Sequence, residues 1–479
     1  MKTLFVTILV SFSFICSGQS TFTKWINTEK NEVIWRMHEI DIDNYLVVIG
    51  QGNYNNNLEF FFNVKNIFYK VNSDGQFTDS LVTNKIDDYE IILSNIIKID
   101  QEAILCAFNA LNIETFDTQL CLLWLDQNLD ITQYSFHGSD TIDEVVTDFT
   151  INHNSDIVFT GKDSFDEPDG ETFFWKFDME GNELEFILDT STLTVAPTII
   201  ELPGNNKYYV FDYYYCTIYN NDFEKDTTLS LEISDNFYAF PQRHKIVDDF
   251  HYLKIGLLMG SPSMNPWDMG VIMLDEDYQI NFLHSYGTLD TNDFANSIDF
   301  ITTDIIYLGG VKNSETLPYD DGWIALYKTN LTGEVLFSRF YGGYGYYYGV
   351  HTIATEDGGC LLAANYLDFY NWVPGEPQNF DVIILKLNEN GLLTDISSPV
   401  PFEQTDILVY PNPGKNFIKI ESSIENLCVQ LFDINGKLVL EKWFNSSKQI
   451  NTTNLLSGNY FYKITQNNEV IKGGKWIKK

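Results

Sequence analysis

One strand–turn–strand element, repeated along most of the chain, constrains the fold of this sequence more than any other feature. In each copy an apolar strand ends in Asp or Asn, and a short turn and a second strand follow. The seven polar residues are Asn72, Asp126, Asp178, Asn220, Asp275, Asn330 and Asn388. Successive copies are 54, 52, 42, 55, 55 and 58 residues apart. Because helical 3.6-residue patterns are absent, this period predicts four-stranded propeller blades rather than a helical solenoid.

A second strand–turn–strand element precedes each of these copies, as in VTDFTINHNSDIVFTGK and VHTIATEDGGCLLAAN. Its turns, such as Asn154-Ser155-Asp156 and Asp357-Gly358-Gly359, contain residues that accept positive φ. Two strands from each element make one blade, so the sequence predicts an all-β chain with a seven-bladed β-propeller over residues 19–396. The seventh copy lacks an outer strand, and we expect Thr21–Asn27 to supply it and to close the ring.

The repeat also resembles a propeller pattern of secreted proteins of the Bacteroidota, roughly W-x-x-K-x-D-x-x-G, then Y-G-G, then D-G-G-Y-x-x-x-G. The matching segments are WIALYKTNLTG at 323–333, FYGG at 340–343 and DGG at 357–359. Other copies are degenerate, and the fourth, at 216–226, has no Gly at its turn. The resemblance implies a fold and no particular activity.

The N-terminus has the pattern of a secretory signal peptide over residues 1–18. A positive start is followed by an apolar run at 4–15 and by small residues before Gln19. We expect cleavage after Gly18. Lipidation of Cys16 is the alternative, but bulky Ile15 stands where a lipobox has a small residue. No other stretch is long and apolar enough to serve as a transmembrane anchor.

The formal charge of −38 is distributed unevenly. Residues 402–479 carry ten Lys against seven Asp or Glu, a charge of +3, which leaves −41 on residues 1–401. A body this acidic repels nucleic acid phosphates and anionic membranes, so neither is expected as a partner. Solubility outside the cell accounts for the acidity, with cation binding as the alternative. The change of sign also marks a domain boundary beside the Ser- and Pro-containing linker at 397–405.

Five cysteines remain once Cys16 is removed with the signal peptide, and none forms a CxxC pair. This pattern predicts neither a dense disulfide framework nor a thiolate zinc site. Most of the five lie in apolar runs, where we expect small buried side chains. One incidental disulfide is the alternative.

Residues 406–479 read as a separate small domain of short alternating strands. The expected strands are Ile407–Tyr410, Phe417–Ile420, Cys428–Asp433, Leu438–Phe444, Tyr460–Thr465 and Val470–Trp476. Turns at Asn412-Pro413-Gly414, Asn435-Gly436 and Asn467-Asn468 separate some of them. This spacing predicts a small Ig-like antiparallel β-sandwich.

The same region resembles the type A C-terminal sorting domain of the type IX secretion system. The matching positions are Tyr410, Pro411, Asn412, Pro413, Leu431, Phe432, Asp433, Gly436, Leu456, Gly458, Tyr460, Lys475 and Lys478. The resemblance implies export through the periplasm, recognition by the type IX secretion machinery and removal of the domain by its sortase. The expected location is therefore secreted or attached to the outer surface.

No catalytic residue is predicted, because the chain has no GxSxG nucleophile elbow, no HExxH and no P-loop. Seven scattered histidines are interpreted as strand or turn residues. Two acidic loops offer hard oxygen ligands for calcium, although neither has EF-hand spacing, and solvated loops are the simpler interpretation. Their carboxylates are Asp163, Asp166, Asp169, Asp320 and Asp321.

Aromatic residues in two loops are candidate ligand contacts, because exposed rings commonly mark binding sites. They are Tyr344, Tyr346, Tyr347 and Trp372. The first hypothesis is a non-catalytic module that binds an extracellular glycan or protein. The alternative is a hydrolase or lyase of extracellular polymers that uses carboxylates or calcium in the propeller channel. A purely structural surface-layer component is the third.

Overall fold

The computed structural model describes residues 19–52, 64–99, 103–112, 114–115, 117–139, 142–164, 167, 169–212, 215–230, 237–259, 267–287, 291–314, 320–372, 379–393, 408–410, 414–421, 426–434, 436–445, 447–466 and 469–479. Regular structure in these residues is β throughout, which confirms the all-β prediction. They contain no helix long and apolar enough to cross a membrane. The predicted signal peptide at 1–18 and the predicted linker at 397–405 lie outside the described residues.

The first 29 strands form seven antiparallel sheets, numbered here in chain order. Sheet 1 contains β2 Asn31–Asp41, β3 Asn44–Gly52, β4 Lys65–Asn72 and β5 Phe77–Thr83. Sheet 2 contains β6 Lys85–Ile86, β7 Tyr89–Ile99, β8 Ile104–Asn112, β9 Thr118–Leu125 and β10 Ile131–His137. Sheet 3 contains β11 Val145–Ile151, β12 Ile157–Lys162, β13 Gly170–Phe177 and β14 Glu183–Thr194. Sheet 4 contains β15 Thr198–Leu202, β16 Lys207–Phe211, β17 Tyr215–Tyr219 and β18 Lys225–Ser230.

The remaining three sheets follow the same order. Sheet 5 contains β19 Phe237–Asp248, β20 His251–Met259, β21 Trp267–Asp275 and β22 Ile280–Tyr286. Sheet 6 contains β23 Phe294–Thr302, β24 Ile305–Lys312, β25 Trp323–Thr329 and β26 Val335–Gly342. Sheet 7 contains β27 Tyr346–Ala354, β28 Cys360–Leu367 and β29 Phe380–Leu387, together with β1 Phe22–Ile26 from the N-terminus. β1 pairs antiparallel with β29, with Lys24 opposite Ile384.

Consecutive sheets pack face to face, and sheet 7 packs against sheet 1. Each contact between sheets has its own apolar core of buried residues. The core between sheets 7 and 1 includes Phe22 and Ile26 of β1, which are each 5% exposed. These contacts run once around a ring, which is the β-propeller architecture predicted from the repeat. Because apolar burial contributes roughly 25 cal/mol per Å2, the seven interfaces are the main source of stability.

The repeated Asp or Asn makes the same turn in all seven copies. Its side-chain Oδ1 accepts the backbone N–H of the residues two and four positions later. The residue three positions later adopts positive φ, and in four copies it is Gly. In the other three it is Leu129, Phe223 or Tyr278, with φ of 55–63°. The degenerate copies thus keep the turn and accept a backbone conformation that costs a non-Gly residue about 1–2 kcal/mol.

The C-terminal residues form a β-sandwich, as predicted. One sheet contains β30 Leu408–Tyr410, β31 Phe417–Glu421 and β34 Ser447–Asn451. The other contains β32 Leu427–Phe432, β33 Leu438–Phe444, β35 Gly458–Gln466 and β36 Glu469–Lys478. A shared core joins the two sheets and includes Ile418, Val429, Ile464 and Trp476, all fully buried. β34 is not expected from the sequence, because KQIN has only one apolar residue to indicate its buried face.

The five described cysteines are free thiols, and all are buried. They are Cys106, Cys121, Cys216, Cys360 and Cys428. Burial raises the pKa of the Cys121 thiol to about 12, and it also raises the pKa of the Cys216 and Cys360 thiols. These side chains therefore act as small apolar residues, and the alternative of a disulfide among them is wrong in this structure.

Candidate functional site: the channel of the propeller

A cavity of about 400 Å3 lies in the channel at the centre of the ring. Its walls are the innermost strands β2, β7, β19, β23 and β27 of five sheets. The lining residues are Arg36, Met37, His38, Glu39, Asn95, His244, Lys245, Ser297, Ile298, Asp299, His351, Thr352, Ile353 and Ala354. Ten of these fourteen residues are polar or charged, in contrast to the apolar interfaces between sheets.

A β-bulge in the innermost strand positions these polar residues. Six of the seven innermost strands have a register shift against the second strand of their sheet, and β15 alone pairs with its neighbour without one. The first paired residues after the first shift in each strand are Arg36, Asn95, Asp148, His244, Ser297 and His351. A bulge bends the strand and redirects the side chains that follow it. In five of these six strands the residue after the bulge lines the cavity, whereas Asp148 of sheet 3 does not.

The charged groups of the cavity are already paired with protein atoms. Lys245 Nζ lies 2.5 Å from Asp299 Oδ1, and Asp299 Oδ2 accepts the backbone N–H of Ala354 at 2.9 Å. Arg36 donates to Asn95 Oδ1 at 3.1 Å and to the carbonyl oxygens of Trp35 and Ser94 at 2.8 and 2.5 Å. These bonds link sheets 5, 6 and 7 and sheets 1 and 2. They hold the cavity in one shape before any ligand arrives.

His38 and Glu39 are adjacent on β2, and burial shifts their pKa values in opposite directions. Burial, reinforced by Arg36, lowers the pKa of His38 to about 4, so the imidazole is neutral at neutral pH. Burial raises the pKa of Glu39 to about 7, although its Oε2 accepts the backbone N–H of Glu356 at 2.8 Å. Glu39 Oε1 is buried without a hydrogen-bond partner among the described residues. Glu39 is therefore the carboxylate of this wall with an oxygen left for a ligand.

Two hydroxyl groups of the wall also lack a hydrogen-bond partner within the described part of the chain. Ser297 and Thr352 are 8% and 4% exposed, and their hydroxyl oxygens are buried without a hydrogen bond to any described residue. Both hydroxyls lie over Gly309 of β24, where a side chain would occupy their space. An unpaired buried hydroxyl costs about 1–3 kcal/mol. A hydrogen bond to a polar ligand would therefore lower the free energy of the bound state.

Asp148 also follows a bulge, but its carboxylate serves a contact between sheets. Its Oδ2 accepts the backbone N–H of Ile199 at 3.0 Å. Burial raises the pKa of Asp148 to about 6, while Arg36 and Lys254 oppose that rise. Asp148 and Asp299 therefore both use their oxygens to hold neighbouring sheets together, which leaves Glu39 as the available carboxylate.

The predicted aromatic contacts separate into buried and exposed residues. Tyr346 and Tyr347 are 8% and 3% exposed, and Tyr347 packs on Tyr366 with ring centroids 5.1 Å apart. Tyr344 is 47% exposed and stacks at 4.8 Å on Tyr370, a ring that sequence reasoning did not select. Trp372 is partly buried.

The exposed pair Tyr344 and Tyr370 lies beyond the start of β27, at the opposite end of that strand from the cavity residue Ala354. Asp321 ties this pair together: its Oδ2 accepts the Tyr370 hydroxyl at 2.8 Å and its Oδ1 accepts the Gly345 N–H at 2.7 Å. The loop carboxylate thus organises two aromatic loops.

Two of the acidic-loop carboxylates proposed for calcium accept backbone N–H groups in or beside their own loops. Asp163 Oδ1 accepts the Glu171 N–H at 2.6 Å, and Asp320 Oδ1 accepts the Asp321 N–H at 2.8 Å. Asp169 acts electrostatically on Lys162, and Asp166 lies outside the described residues. Over the described ranges, no group of three or more His, Cys, Asp or Glu is arranged to hold a metal ion. Calcium at these loops stays a prediction.

Sequence reasoning did not identify the channel residues. His38, His244 and His351 were treated as scattered, although each lies in the first strand of its own repeat copy. The signal is a cluster of polar residues inside an otherwise apolar strand, as in RMHE at 36–39, where three of four residues are polar, and RHK at 243–245. A bulge explains such a run, because it breaks the alternation of side chains between the two faces.

In the C-terminal sandwich, the motif positions have structural roles. Asp433 Oδ1 accepts the Lys437 N–H at 3.0 Å, and Gly436 has a φ of 75° in that turn. The Tyr460 hydroxyl donates to the Leu456 carbonyl oxygen at 2.8 Å. Gly458 pairs with Lys478 and Phe461 with Lys475. Tyr410 ends β30 opposite Lys419, while Pro411, Asn412 and Pro413 lie outside the described residues.

The comparison with protein families identifies this sandwich. Residues 408–479 match the family described as the secretion system C-terminal sorting domain. The chain thus carries a type IX secretion sorting domain, as the resemblance in its sequence implied. This domain marks the protein for export by the type IX machinery, followed by secretion or attachment to the outer surface. No curated protein matches the chain.

Solved propeller structures are similar to the chain only at low identity. The β-propeller domain of the trilobed protease of Pyrococcus furiosus is 14% identical with a TM-score of 0.42, covering 79% of this chain and 98% of that one. The Pan2 WD40 domain of Neurospora crassa is 8% identical with a TM-score of 0.39, covering 71% and 85%. A PL25 ulvan lyase bound to its saccharide is 9% identical with a TM-score of 0.44, covering 74% and 92%.

Proposed function

We propose that this exported β-propeller binds a sugar residue of an extracellular glycan in its channel and leaves it chemically unchanged. The observation that carries the proposal is the cavity of about 400 Å3 with its unpaired polar atoms. Ser297, Thr352 and Glu39 each have a buried oxygen without a hydrogen-bond partner among the described residues, and a sugar has hydroxyl groups that both donate and accept hydrogen bonds. Pockets of this size accept one or two such rings.

The distribution of charge favours binding over hydrolysis. Glycoside hydrolysis generally uses two carboxyl groups, one as an acid and one as a base or nucleophile. Asp299 is bound to Lys245 and to a backbone N–H, so among the described lining residues Glu39 is the one carboxylate with an oxygen that has no hydrogen-bond partner. A single available carboxylate can accept hydrogen bonds from sugar hydroxyl groups. Glycoside hydrolysis would need a second one.

The test is binding of the full chain to a glycan array, followed by calorimetry with the selected glycan. Thr352→Val and Ser297→Ala should each weaken binding by about tenfold, because each removes one buried hydrogen bond. Thr78→Val, which changes an exposed strand residue of sheet 1, is the matched control and should bind as the wild type does. Loss of binding in Tyr344→Ala with full binding in Thr352→Val would move the site to the aromatic pair and overturn the proposal.

A polymer-degrading enzyme is the second candidate, and one observation favours it. Glu39, with its pKa raised to about 7, and neutral His38 are adjacent on the wall. A carboxyl group with a pKa near the operating pH is suited to general acid or base catalysis. Incubation of the selected polymer with the protein should leave its chain length unchanged under the binding proposal. Shortening that disappears in Glu39→Gln and in His38→Gln would establish the enzyme instead.

The domain organisation completes the proposal. Residues 1–18 are a signal peptide that is removed on export, and residues 19–396 form one closed ring of seven blades. Pairing of β1 with β29 supports the closure, since it joins the N-terminal strand to the last sheet. Residues 397–405 are the linker that presents the sorting domain to the type IX machinery and to the sortase that removes it. Mass spectrometry of the exported protein, which should begin at Gln19 and lack the sorting domain, tests this arrangement.

A further inference from the structure

The sorting motifs of the C-terminal sandwich meet at one end of it. Gly458, at the start of β35, pairs with Lys478, at the end of β36. Gly414, which directly follows Pro413, donates its N–H to the Ile477 carbonyl oxygen and accepts the Lys479 N–H, both at 2.8 Å. Motif positions far apart in the sequence are therefore neighbours, and we call this region the motif end.

The turn between β32 and β33 belongs to the same end. Phe432, the last residue of β32, pairs with Phe461, three residues after the start of β35. The Asp433–Lys437 turn that follows therefore lies beside the loop that enters β35. Four segments of the domain, from its first motif to its last residue, thus contribute to the motif end.

Two large apolar side chains project from the motif end into solvent. Leu456, just before β35, is 82% exposed, and Ile434, in the turn after β32, is 70% exposed. These are the highest exposures of large apolar side chains anywhere in the described residues. Neighbouring exposed apolar groups mark protein interaction sites more than single ones do, and these two lie in adjacent loops of the motif end.

The fold holds Leu456 outward. The hydroxyl of Tyr460 donates to the Leu456 carbonyl oxygen at 2.8 Å, and the Tyr460 ring is 7% exposed and packs on Trp476 at 6.0 Å. Its neighbour Leu455 packs against the core of the sandwich instead. One leucine of the pair thus anchors the loop, and the other is presented to solvent by a buried tyrosine.

We propose that Ile434 and Leu456, with Lys437 and Lys479 beside them, form the surface that the type IX secretion machinery binds. The complementary surface is an apolar pocket with an acidic rim. The charges support this partner, because residues 402–479 carry +3 while the rest of the chain carries −41. An acidic receptor attracts the sorting domain and repels the acidic propeller. The chain is thereby oriented with its sorting domain toward the receptor. This inference is independent of what the channel binds.

The test is export of the full chain from a bacterium that has the type IX system, measured as the fraction of protein outside the cell. The double variant Ile434→Ser/Leu456→Ser should lower that fraction by about tenfold, the loss typical of removing a central apolar contact. The chain should then accumulate in the periplasm. Lys437→Glu/Lys479→Glu should lower export in the same direction, because it opposes the acidic rim.

Trp443→Ser is the matched control. Trp443 is 61% exposed in the same domain, but it pairs with Cys428 near the opposite end of β32. Its export should stay within about twofold of the wild type. Equal melting temperatures of the purified variants would show that the substitutions leave the fold intact. Normal export of Ile434→Ser/Leu456→Ser, or an equal loss in Trp443→Ser, would overturn the proposal.

Discussion

The carboxyl groups of Asp381 in β29 and Glu32 in β2 are buried close together, where sheet 7 packs against sheet 1. They are 8% and 0% exposed, and Glu32 acts electrostatically on Asp381. Glu32 accepts hydrogen bonds from Gln51 and from Thr28, whereas Asp381 accepts one from Asn27 at 3.1 Å. Asp381 Oδ1 is buried without a partner among the described residues. No cation is among the groups that perturb Asp381.

This arrangement predicts a pH dependence of stability that Asp381→Asn should reduce. Burial beside Glu32 raises the pKa of Asp381 to about 7, above its ordinary value near 4. Between about pH 4 and pH 7 the folded protein therefore holds a proton that the unfolded chain has lost. The free energy of unfolding falls as pH rises through this window. At pH 8, Asp381→Asn should be more stable than the wild type by the order of 1 to 4 kcal/mol.

Urea denaturation of both proteins at pH 5 and pH 8 measures the effect. The difference between them should be largest at pH 8 and shrink at pH 5, where Asp381 is already protonated. Asp74→Asn is the control, because Asp74 is an exposed residue of the first turn. If Asp381→Asn is less stable than the wild type at pH 8, the ionised carboxylate stabilises the contact between sheets 7 and 1.

The ion pair between Lys386 and Asp357 is expected to contribute much more to stability than exposed pairs do. Lys386 is fully buried, and its Nζ lies 2.7 Å from Asp357 Oδ2 and 3.0 Å from Oδ1. Hydrogen bonds from Lys386 and Thr355 lower the pKa of Asp357 against the opposing effect of burial. Lys386→Met leaves that carboxylate without its cation and should cost about 3–5 kcal/mol of unfolding free energy in denaturation experiments.

The exposed pair Lys207 and Asp226 provides the comparison. Its atoms are 3.0 Å apart, and the side chains are 42% and 37% exposed. Lys207→Met should change the free energy of unfolding by less than about 1 kcal/mol. The double variant Lys386→Met/Asp357→Asn should recover part of the stability lost in Lys386→Met. If it does not, the lost stability comes from packing of the lysine stem and not from the unpaired carboxylate.

The repeat could be predicted from the sequence because its turn is a local structure. An Asp or Asn side chain that bonds two backbone N–H groups of its own turn depends on five consecutive residues, and so it recurs wherever they do. This is why Asn72 and Asn388 mark equivalent turns although they are 316 residues apart. The same reasoning found the Asp433 turn of the sorting domain.

The channel could not be predicted because it depends on contacts between distant sheets. A bulge is fixed by the register of one strand against its neighbour, and nothing in RMHE itself states that register. His38 and His351 line one cavity only because the ring brings sheets 1 and 7 together. Tyr347 shows the converse: its tract looks like an exposed aromatic surface, but Tyr347 lies in β27 and is buried in the core between sheets 6 and 7.

Gly75, in the first repeated turn, should tolerate alanine worse than Gly358, which has a similar φ but more space. Its φ is 75°, and an added Cβ would lie 2.6 Å from Cγ of Phe22 on β1. Gly75→Ala should therefore cost the backbone strain of about 1–2 kcal/mol and a packing penalty of about 1–3 kcal/mol. The melting temperature of the variant measures the sum.

Gly358→Ala separates the two terms of that cost. Gly358 has a φ of 83°, but its nearest described neighbour to an added Cβ is Gln19 Nε2 at 3.9 Å. This variant should be destabilised by the backbone strain alone, about 1–2 kcal/mol. Equal losses in Gly75→Ala and Gly358→Ala would show that Phe22 moves away at no cost, and hence that β1 packs loosely on sheet 1.

Binding in the channel should depend on pH through Glu39 and not through His38. Burial raises the pKa of Glu39 to about 7, so Glu39 ionises between pH 6 and pH 8. An ionised carboxylate accepts a stronger hydrogen bond from a sugar hydroxyl than the neutral acid does. Affinity for the glycan selected on the array should therefore rise by about fivefold from pH 6 to pH 8.

Two substitutions at neighbouring positions distinguish the groups. Glu39→Gln should bind with an affinity that stays constant over this range, because it removes the titrating carboxyl and keeps the shape of the side chain. His38→Gln should keep the rise, because the pKa of His38 is lowered to about 4 and the imidazole is neutral throughout. A rise that survives in Glu39→Gln and vanishes in His38→Gln would assign the titration to the histidine. Calorimetry of the three proteins at pH 6, 7 and 8 decides between these outcomes.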